Sequence, residues 1–438
     1  MYKKRIDTTI NVGLLGAGTI GRGVIGLLRE NALAIAQKAG TRIKLKTVLE
    51  KDPALAEELA EEGYIVTQEI NDIVNDPEIS IVVELIGRVE PARSFMAKAI
   101  ENGKHVVTAN KDVIASHGRE LLELAEKKRV DMMFEASVGG GIPIIRPLKQ
   151  CLAANGIHSV MGIVNGTTNY MLGKMIDENL DYDAALKESQ EKGYAEKDPA
   201  ADVGGLDAAR KIAILASIAF NTKVALDDVF VEGIQSVDLR DIKYAAELGY
   251  AVKLLAIAKY LPEHGIDVRV HPAFLPKEHP LANVKGVFNA IFVTGDYVGD
   301  VMFYGQGAGR RATASAVCGD IIDIARDIAS GSAGRILCTC FDEKPVCSQD
   351  IVATPFYTRM LVTDKPGVLA AIAAAFGHND VSLRTVLQKS TIGACAELVV
   401  ITHKVCYKNL SLALQSLKAL PSVDKICAAI RVEDNEFA

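Results

Sequence analysis

A glycine-rich turn near the N-terminus constrains this chain more than any other feature. Residues 10–15 form a short apolar run typical of a buried strand, residues 19–37 have the pattern of a helix, and GAGTIG joins them. This junction fits G-x-G-x-x-G in the strand-to-helix context that indicates dinucleotide binding rather than a plain turn. The glycines allow the backbone to approach a pyrophosphate, which the helix N-terminus attracts. We therefore predict a dinucleotide site at Gly16, Ala17, Gly18, Thr19, Ile20 and Gly21.

The residues after the second apolar run leave the choice of dinucleotide open. Glu50 follows the run 43–49 and can accept a hydrogen bond from a ribose 2′-hydroxyl, which favours NAD. Lys51 can instead pair with a 2′-phosphate, which favours NADP, and Arg22 is a further candidate for that contact. The predicted cofactor is therefore NADP or NAD.

Short apolar runs alternate with amphipathic segments through residue 135. The pattern predicts strands at 10–15, 43–49, 79–85, 105–108 and 130–135, and helices at 19–37, 53–62, 91–102 and 120–128. Apolar runs without alternation suit strands that are buried on both faces. The sequence thus predicts an α/β fold of the Rossmann type, a doubly wound parallel sheet covered by helices.

Composition excludes several classes of protein. The 438 residues are too many for one compact domain, and a net charge of −6 argues against a nucleic-acid partner. No apolar stretch reaches the ~18 residues of a membrane span, and the N-terminus has no apolar signal core. Eight scattered cysteines without a C-x-x-C pair indicate free thiols rather than disulfides or a zinc site. We therefore expect a cytoplasmic protein.

The pattern changes twice further along the chain. Predicted helices at 182–191, 206–220 and 243–260, with strands at 158–164 and 289–294, indicate an α+β domain inserted into the first, and a helix at 310–330 would pack back onto that first domain. Residues 357–432 follow the ferredoxin-like order βαββαβ, with Asp364 placed to cap the first helix. The predicted domains are a dinucleotide-binding domain at 1–138 completed by 305–341, a second domain at 139–304, a linker at 342–355 and a C-terminal domain at 356–438.

Four further motifs offer chemistry. Lys111, in TANK, follows a strand and is predicted to point into the ligand crevice, although a surface lysine is the alternative. EASVGGGI (135–142) offers either a hinge or a carboxylate with carbonyl oxygens for a hard cation. NGTTN (165–169) suits a small polar substrate or a plain turn. GQGAG (305–309) lacks the ending of a triphosphate loop, which favours a backbone approach to the cofactor or close packing.

The segment 193–212 is the richest in acidic residues. Glu196, Asp198 and Asp202 crowd a loop, and Asp207 and Lys211 stand four residues apart on an otherwise apolar helix. A buried carboxylate–ammonium pair costs desolvation, which indicates a functional role; the alternative is a pair whose lysine reaches solvent. If the domains close and bring Lys111 near Lys211, each charge would lower the pKa of the other, which suits proton transfer.

Together and in this order, these segments resemble the homoserine dehydrogenases of the bacterial type with a C-terminal ACT domain. The resemblance covers essentially the whole chain, and its motifs are GLLGAGTIG (13–21), TANK (108–111), EASVGGGIPI (135–144), NGTTNY (165–170), GYAEKDPAADVGGLDAARK (193–211), GQGAG (305–309) and DKPGVL (364–369). It implies reversible hydride transfer between NAD(P)H and L-aspartate 4-semialdehyde, giving L-homoserine on the route to threonine, methionine and isoleucine. Another amino-acid aldehyde oxidoreductase, or a non-catalytic amino-acid or nucleotide sensor, is the alternative.

The resemblance implies roles for the residues of the central segment. Lys211 would donate the proton to the substrate carbonyl, with Asp207 orienting it, and Lys111 would act in proton transfer or in cofactor contact. Glu196 would hold the substrate ammonium group. The same pocket would be lined by Thr167, Tyr194 and Asp202.

It also implies sites for a cofactor, a cation and an effector. Gly87 and Gly309 would contact the cofactor, and Glu135 with the carbonyls of Val138, Gly140 and Ile142 would bind a structural Na⁺ or K⁺. ACT domains bind amino acids at paired interfaces, which implies feedback inhibition by threonine and a homo-oligomer, a dimer or a tetramer. The matching effector residues are Asp364, Gly367, Val368, Asn379, Asp380 and Val381.

Overall fold

Six parallel strands form the N-terminal sheet. The structure is a computed structural model that describes residues 8–336, 338–392 and 395–433. The strands are β1 Thr9–Leu15, β2 Arg42–Leu49, β3 Ile65–Thr67, β4 Ile79–Glu84, β5 His105–Thr108 and β6 Met132–Met133. They lie in the order β3-β2-β1-β4-β5-β6, and each neighbouring pair is parallel. The predicted Rossmann-type sheet is confirmed.

Helices connect these strands, and the apolar runs are buried as predicted. The helices are α1 Thr19–Glu30, α2 Ala32–Ala39, α3 Pro53–Glu61, α4 Asn71–Val74, α5 Ala92–Glu101 and α6 Lys111–Lys128. Leu14, Ile81, Val83 and Val107 are each fully buried between the helix layers. Burying such a side chain contributes about 1.5–3 kcal/mol, so this sheet is a principal source of the stability of its unit.

The middle of the chain is a mixture of helices and strands. The elements are β7 Ile157–Ile163, α7 Gly166–Asp177, α8 Tyr182–Glu191, α9 Ala200–Val203, α10 Leu206–Ala219, β8 Phe230–Val231, α11 Leu239–Glu247, β9 Tyr250–Leu261 and β10 Gly265–Pro276. β9 and β10 form an antiparallel hairpin, and β8 pairs with β10 in parallel.

The predicted helix at 243–260 is wrong. α11 ends at Glu247, Gly249 takes a φ of +87°, and β9 follows. The letters YAVKLLAIAKYL are rich in Ala, Leu and Lys, which favour a helix in isolation. Pairing along the whole of β10, which is itself buried, overrides that propensity.

Two strands and a long helix follow. They are β11 Phe288–Gly295, β12 Gly299–Gln306 and α12 Arg310–Ser330. α12 packs against α1 so closely that a Cβ on Gly23 would lie 2.8 Å from the Arg310 carbonyl oxygen. The prediction that this helix returns to the first sheet is confirmed, because Val317 and Ile321 lie in the same core as Leu14.

The C-terminal segment has the predicted βαββαβ order. Its elements are β13 Ala353–Thr354, β14 Phe356–Thr363, α13 Val368–Gly377, β15 Leu383–Ile392, β16 Cys395–Thr402, β17 Val405–Cys406, α14 Tyr407–Lys418 and β18 Val423–Val432. The sheet order is β18-β14-β16-β15. The predicted cap at Asp364 is wrong, because Gly367 is the N-cap of α13 and Asp364 instead accepts from Gln388 Nε2 at 3.3 Å.

The described residues divide into two compact units. Unit 1 comprises Met1–Val160, Ala213–Leu226 and Asn289–Glu343, and unit 2 comprises Met161–Ile212, Asp227–Phe288 and Lys344–Ala438. Within unit 2, β18 pairs in parallel with β10, so the C-terminal sheet is joined to the strands of the middle segment. In the part of the chain described here, no helix combines the length and the apolar character needed to cross a membrane.

Candidate active site

The glycine turn lies at the carboxyl end of β1 in unit 1. Gly16 has a φ of +89°, and a Cβ on Gly21 would lie 2.4 Å from the Gly16 carbonyl oxygen. The turn and its packing on α1 therefore require these two glycines. Gly18 is different, because no atom of the described residues lies within 4 Å of the position of its Cβ. The backbone at Gly18 is open to a ligand, next to a helix N-terminus that attracts phosphate.

The Glu50 carboxylate links this turn to the end of β2 by hydrogen bonds. Oε2 accepts from the amide of Ala17 at 2.8 Å, and Oε1 accepts from the amides of Lys51 and Asp52 at 2.8 and 3.0 Å. Three backbone donors occupy most of the roughly four acceptor positions of a carboxylate. The Lys51 side chain is exposed beside this turn, whereas Arg22 is held by two glutamates at 2.5 and 2.7 Å.

Glu84 organises the carboxyl ends of β4 and β5. Its side chain is fully buried, Oε1 accepts from the amides of Ile86 and Gly87 at 2.8 and 3.1 Å, and Oε2 accepts from the Thr108 hydroxyl at 2.7 Å. Burial raises the pKa of the Glu84 carboxyl. These bonds fix the turn at Gly87, whose φ is +75°.

Lys111 is the first residue of α6 and follows β5 at the same edge of the sheet. Asn110 is the N-cap of this helix: its Oδ1 accepts from the amide of Val113 at 3.2 Å, and its Nδ2 donates to the Arg88 carbonyl at 2.7 Å. The cap therefore ties the start of α6 to the loop that carries Gly87. The half-buried Lys111 lies at the carboxyl edge, where the sequence predicted it.

The glycines at 139–141 pack against the second glycine-rich segment. A Cβ on Gly140, whose φ is +55°, would lie 2.5 Å from the Gly307 carbonyl oxygen, and the amide of Gly141 donates to the Gln306 carbonyl at 3.1 Å. Close packing therefore requires glycine here and confirms one of the alternatives predicted for GQGAG. Gly309, with a φ of +117°, is the N-cap of α12, and no described atom surrounds the position of its Cβ.

Glu135 is buried at the start of the same loop. Its Oε1 accepts from the amides of Ile144 and Ile145 at 2.6 and 2.8 Å, and its Oε2 accepts from the amide of Arg146 at 2.8 Å. The amide of Glu135 donates to Asp320 Oδ2 at 2.9 Å. Burial, with the nearby charge of Glu135, raises the pKa of Asp320 to about 7.

Asp207 and Lys211 form the predicted pair on α10 in unit 2. Lys211 Nζ donates to Asp207 Oδ2 at 2.7 Å and to the Val164 carbonyl at 2.8 Å. The two side chains are 11% and 13% exposed, so the lysine does not extend into solvent. Two of the three ammonium protons are thus held within the chain.

Asn165 connects this pair to a second carboxylate. Its Nδ2 donates to Asp202 Oδ1 at 2.7 Å and to Asp207 Oδ2 at 2.9 Å, while its Oδ1 accepts from the amide of Thr168 at 2.9 Å and so caps α7. Burial and, secondarily, the charge of Asp207 raise the pKa of Asp202. The amide thus holds two like charges close together.

The remaining residues predicted to bind substrate lie near this cluster in unit 2. The Thr167 hydroxyl donates to the Tyr194 carbonyl at 2.6 Å, and the Tyr194 ring meets Tyr170 edge-on at 4.9 Å. Glu196 is exposed, and its charge contributes to the raised pKa of Asp202. This set combines carboxylates, a hydroxyl and one ammonium group, which suits a small zwitterionic substrate.

Known proteins share this organisation along the entire chain. Family models described as "Homoserine dehydrogenase, NAD binding domain", "Homoserine dehydrogenase" and "ACT domain" match residues 16–135, 143–322 and 356–422. The homoserine dehydrogenase of a Synechocystis species is 45% identical over an alignment of 432 residues that covers 97% of this chain and 99% of that protein. The chain belongs to the homoserine dehydrogenase family. Its members act as oxidoreductases, and this member carries the nicotinamide-dinucleotide-binding domain and the ACT domain.

Solved structures of homoserine dehydrogenases agree with this assignment. The enzyme from Thiobacillus denitrificans is 41% identical and superposes with a TM-score of 0.93, covering 98% of this chain and 99% of that chain. A hyperthermophilic archaeal homoserine dehydrogenase in complex with NADPH is 27% identical, with a TM-score of 0.61, and covers 72% of this chain and 98% of that chain.

The structure brings some of the predicted residues together within unit 2. Asn165 donates to both Asp202 and Asp207, and Lys211 donates to Asp207. Lys111 and the predicted cofactor residues belong to unit 1. The proximity of Lys111 to Lys211 stays a prediction.

The six residues predicted to bind an effector form two groups at the two ends of α13, with Asp364 just before its first turn. Gly367 and Val368 begin the helix, and Asn379, Asp380 and Val381 follow its last residue. Ten helical residues span ~15 Å, so one chain does not bring the two groups together.

Sequence reasoning missed the roles of two residues that organise these sites. Glu84 ends an apolar strand, where a carboxylate three residues before a glycine could have signalled a buried acceptor for a tight turn. Asn165 was included in the motif NGTTN, but no local pattern indicates that its amide bridges two carboxylates, since those are 37 and 42 residues away.

Proposed function

We propose that this chain reduces L-aspartate 4-semialdehyde reversibly to L-homoserine with NAD(P)H, and that Lys211 donates the proton. The observation that carries the proposal is the fixed ammonium of Lys211, held by Asp207 and the Val164 carbonyl at 2.7 and 2.8 Å. Those two bonds orient the group and leave one N–H for the oxygen of an aldehyde. The bound dihydronicotinamide supplies the hydride.

Proton transfer from Lys211 follows from the charges around it. As the carbonyl carbon is reduced, negative charge develops on its oxygen, and an ammonium within hydrogen-bond reach donates its proton there. In the direction of homoserine oxidation, the neutral amine accepts the hydroxyl proton. Asp207 stabilises the protonated form in either direction, so no metal is needed for this step.

Recognition of the substrate is assigned to the acidic loop and the start of α7. Glu196 pairs with the substrate ammonium group, and Asp202, Thr167 and Tyr194 line the same pocket. Support comes from the exposed carboxylate of Glu196 and from the Thr167–Tyr194 bond of 2.6 Å, which holds the loop against α7.

Cofactor binding is assigned to the carboxyl edge of the parallel sheet. The backbone of Gly16, Ala17, Gly18, Thr19, Ile20 and Gly21 receives the pyrophosphate, and Gly87, Gly309 and Lys111 contribute further contacts. The three amides on Glu50 limit its capacity for a ribose hydroxyl, while Lys51 is exposed. These features favour NADP over NAD, with Lys51 at the 2′-phosphate.

The cation site of the family fits the residues between Glu135 and Ile142. Hydrogen bonds from three amides leave Glu135 about one acceptor position, and the carbonyls of Val138, Gly140 and Ile142 accept no hydrogen bond from the described residues. One carboxylate with three carbonyls suits a hard monovalent cation. Na⁺ or K⁺ would hold this loop in place and take no part in the chemistry.

Regulation and assembly are proposed together. The ACT domain binds an amino acid, threonine by its place at the end of the pathway, at Asp364, Gly367, Val368, Asn379, Asp380 and Val381. Because α13 separates the two groups by ~15 Å, a small ligand contacts both only where two copies pair. A homo-oligomer, a dimer or a tetramer, is therefore part of this proposal.

We propose the domain boundaries on the same grounds. A dinucleotide-binding domain at 1–138 is completed by 305–341, the substrate-binding and dimerisation domain spans 139–304, a linker spans 342–355, and the ACT domain spans 356–438. The family-model matches at 16–135, 143–322 and 356–422 support this division. The eight free thiols support a reducing compartment such as the cytoplasm.

Initial rates test the proposal directly. The full-length chain should oxidise L-homoserine with NADP faster than with NAD, and threonine should inhibit it. Lys211→Met, which removes the proton donor at nearly constant volume, should lower kcat at least ~100-fold while NADPH affinity stays within about twofold. Lys187→Met, at an exposed position of α8, is the matched control. Full turnover in Lys211→Met would refute the proton-donor role.

A further inference from the structure

A cavity lies in unit 2 beside α7. Its volume is about 360 Å³, and it is lined by α7, α11, β9 and the segment 277–286. Small-molecule sites have volumes of about 300–1,000 Å³, so the cavity is large enough for a ligand of metabolite size. None of the residues assigned to substrate or cofactor lines it.

Lys253 places a buried cation in the wall of this cavity. Lys253 is 6% exposed. Its Nζ donates to Asn169 Oδ1 at 2.9 Å and to the Val284 carbonyl at 2.6 Å. Both acceptors are neutral, and no carboxylate of the described residues lies within 4.0 Å of this ammonium. Burial accordingly lowers the pKa of Lys253 to about 8. A buried charge without a counterion is costly, and proteins usually pair it.

Further lysines give the rim the same sign of charge. Lys277 donates to the Ala246 carbonyl at 2.7 Å, Lys285 is exposed, and neither has a carboxylate partner among the described residues. Lys174 is different, because Glu178 and Glu188 neutralise it. Asp177 is the single acidic residue among those that line the cavity. The free positive charges therefore outnumber the negative ones.

Part of the lining of this cavity is apolar. Ile242 and Ala246 of α11 contribute to it, together with Leu172 and Val252. A ligand that matched both the lysines and these apolar side chains would carry a negative head and an apolar body.

We propose that this cavity binds a small organic anion, whose carboxylate or phosphate pairs with Lys253 and whose apolar part lies against Ile242 and Val252. The anion supplies a counterion in direct contact with Lys253, which the described residues do not, since Asp177 acts on this ammonium only from a distance. This site is additional to the substrate and cofactor sites, and its existence does not depend on the proposed reaction.

Calorimetric titration of the full-length chain tests the site. Benzoate carries the carboxylate, phenyl phosphate carries the phosphate, inorganic phosphate lacks the apolar body, and benzamide has the shape of benzoate without its charge. We expect benzoate or phenyl phosphate to bind with a dissociation constant of about 1 mM or tighter, and to bind at least about fivefold more tightly than benzamide or inorganic phosphate.

Three lysine-to-methionine variants locate the binding. Lys285→Met, at the exposed rim, should weaken binding of the anion about fivefold, and Lys253→Met should weaken it at least about tenfold. Lys187→Met, on α8 and outside the cavity, should leave it unchanged. If Lys253→Met does not fold, Lys285→Met decides. The absence of saturable binding up to about 10 mM, or equal affinities in Lys285→Met and Lys187→Met, would overturn the proposal.

Discussion

The neutral side chain of Asn165 holds two carboxylates and the start of a helix in place. Its amide nitrogen donates to Asp202 and Asp207 at 2.7 and 2.9 Å, and its amide oxygen caps α7. Without these donors, the two carboxylates would repel each other, and Asp207 would no longer be fixed where it orients Lys211. The residue therefore positions the proposed proton donor through Asp207.

Asn165→Ala should separate this positioning role from the loss of a cap. The cap contributes about 1 kcal/mol to the free energy of unfolding, and Asp181→Ala, which removes the equivalent cap of α8, should cost the same. We expect kcat to fall at least ~30-fold in Asn165→Ala alone, because only that variant disturbs the pair on α10. Steady-state rates and urea unfolding of both variants check this, and equal kcat values would contradict it.

Cys338 should be the most reactive thiol of the eight. Its hydrogen bond with Cys340, aided by the charge of Lys149, lowers the pKa of Cys338 to about 6 and raises that of Cys340. At pH 7 we expect iodoacetamide to modify Cys338 roughly tenfold faster than the exposed Cys151, as measured by peptide mass spectrometry. Cys340→Ala should slow the reaction at Cys338 and leave Cys151 unaffected. Faster labelling of Cys151 in the unsubstituted chain would show the idea to be wrong.

At the scale of elements, the glycines between β1 and α1 have different roles. Two of them are required by the turn and its packing, and one leaves space for a ligand. The φ of Gly16 and the packing of Gly21 make both indispensable to the turn. Gly18 has a φ of −62°, which other residues adopt, and open space around the position of its Cβ.

Gly18→Ala should therefore affect binding and not folding. We expect the free energy of unfolding to stay within about 1 kcal/mol of the parent, because among the described residues the new methyl meets no atom beyond its two chain neighbours. NADPH affinity should fall at least ~10-fold, because the methyl occupies the space where the pyrophosphate meets the backbone. Gly26→Ala, inside α1, should change neither quantity adversely. Urea unfolding and fluorescence titration measure both, and unchanged NADPH affinity would contradict the assignment.

Elements defined by local pattern were predictable, and elements defined by distant partners were not. Buried parallel strands are continuous apolar runs, so β1, β4 and β5 could be predicted directly from the sequence. The Asp207–Lys211 pair follows from helical geometry alone. β9 could not be predicted, since its composition favours a helix and only its pairing with β10 makes it a strand. The roles of Glu84 and Asn165 depend on partners that only the fold brings close. Their proximity cannot be seen in the sequence.

At the scale of the whole molecule, buried charges bind the C-terminal sheet into unit 2. Arg359 of β14 donates twice to the Asp241 carboxylate of α11, at 2.6 and 3.0 Å, and once to Glu397 at 3.1 Å. Farther along, Arg269 of β10 donates to Glu433 at 2.8 Å. All five side chains are nearly inaccessible, and Arg359 is the basic partner of Asp241 among the described residues, so removal of Arg359 would leave that carboxylate buried without a counterion.

The buried charges around Arg269 and Glu433 predict a dependence of stability on pH. His271 is fully buried, and its Nε2 accepts from Arg269 Nε at 3.0 Å, which requires a neutral ring. Burial, with two nearby arginines, lowers the pKa of His271 well below 6.5. Below pH 6.5, His271 therefore binds a proton in the unfolded chain but not in the folded chain. The free energy of unfolding falls as the pH falls, by up to ~1.4 kcal/mol per pH unit.

Urea unfolding at pH 7.5 and pH 5.5 measures this loss. In His271→Gln, which keeps an acceptor for Arg269 but does not titrate, the loss of stability between these two pH values should be smaller by about 1 kcal/mol. His264→Gln, in the exposed turn after β9, should retain the loss of the unsubstituted chain. Identical losses in all three proteins would rule out His271 as the group responsible.

The junction of β10 with β18 has a practical consequence for anyone who wishes to remove the ACT segment by truncation. A chain that stopped near residue 343 would expose the edge of β10. It would also remove Arg359, which pairs with Asp241, and Glu433, which shares Arg269 with Asp267. Such a chain would lose stability for reasons unrelated to threonine. A variant insensitive to the proposed effector is better sought through single replacements at Asp380 or Gly367, which keep the pairing of β10 with β18.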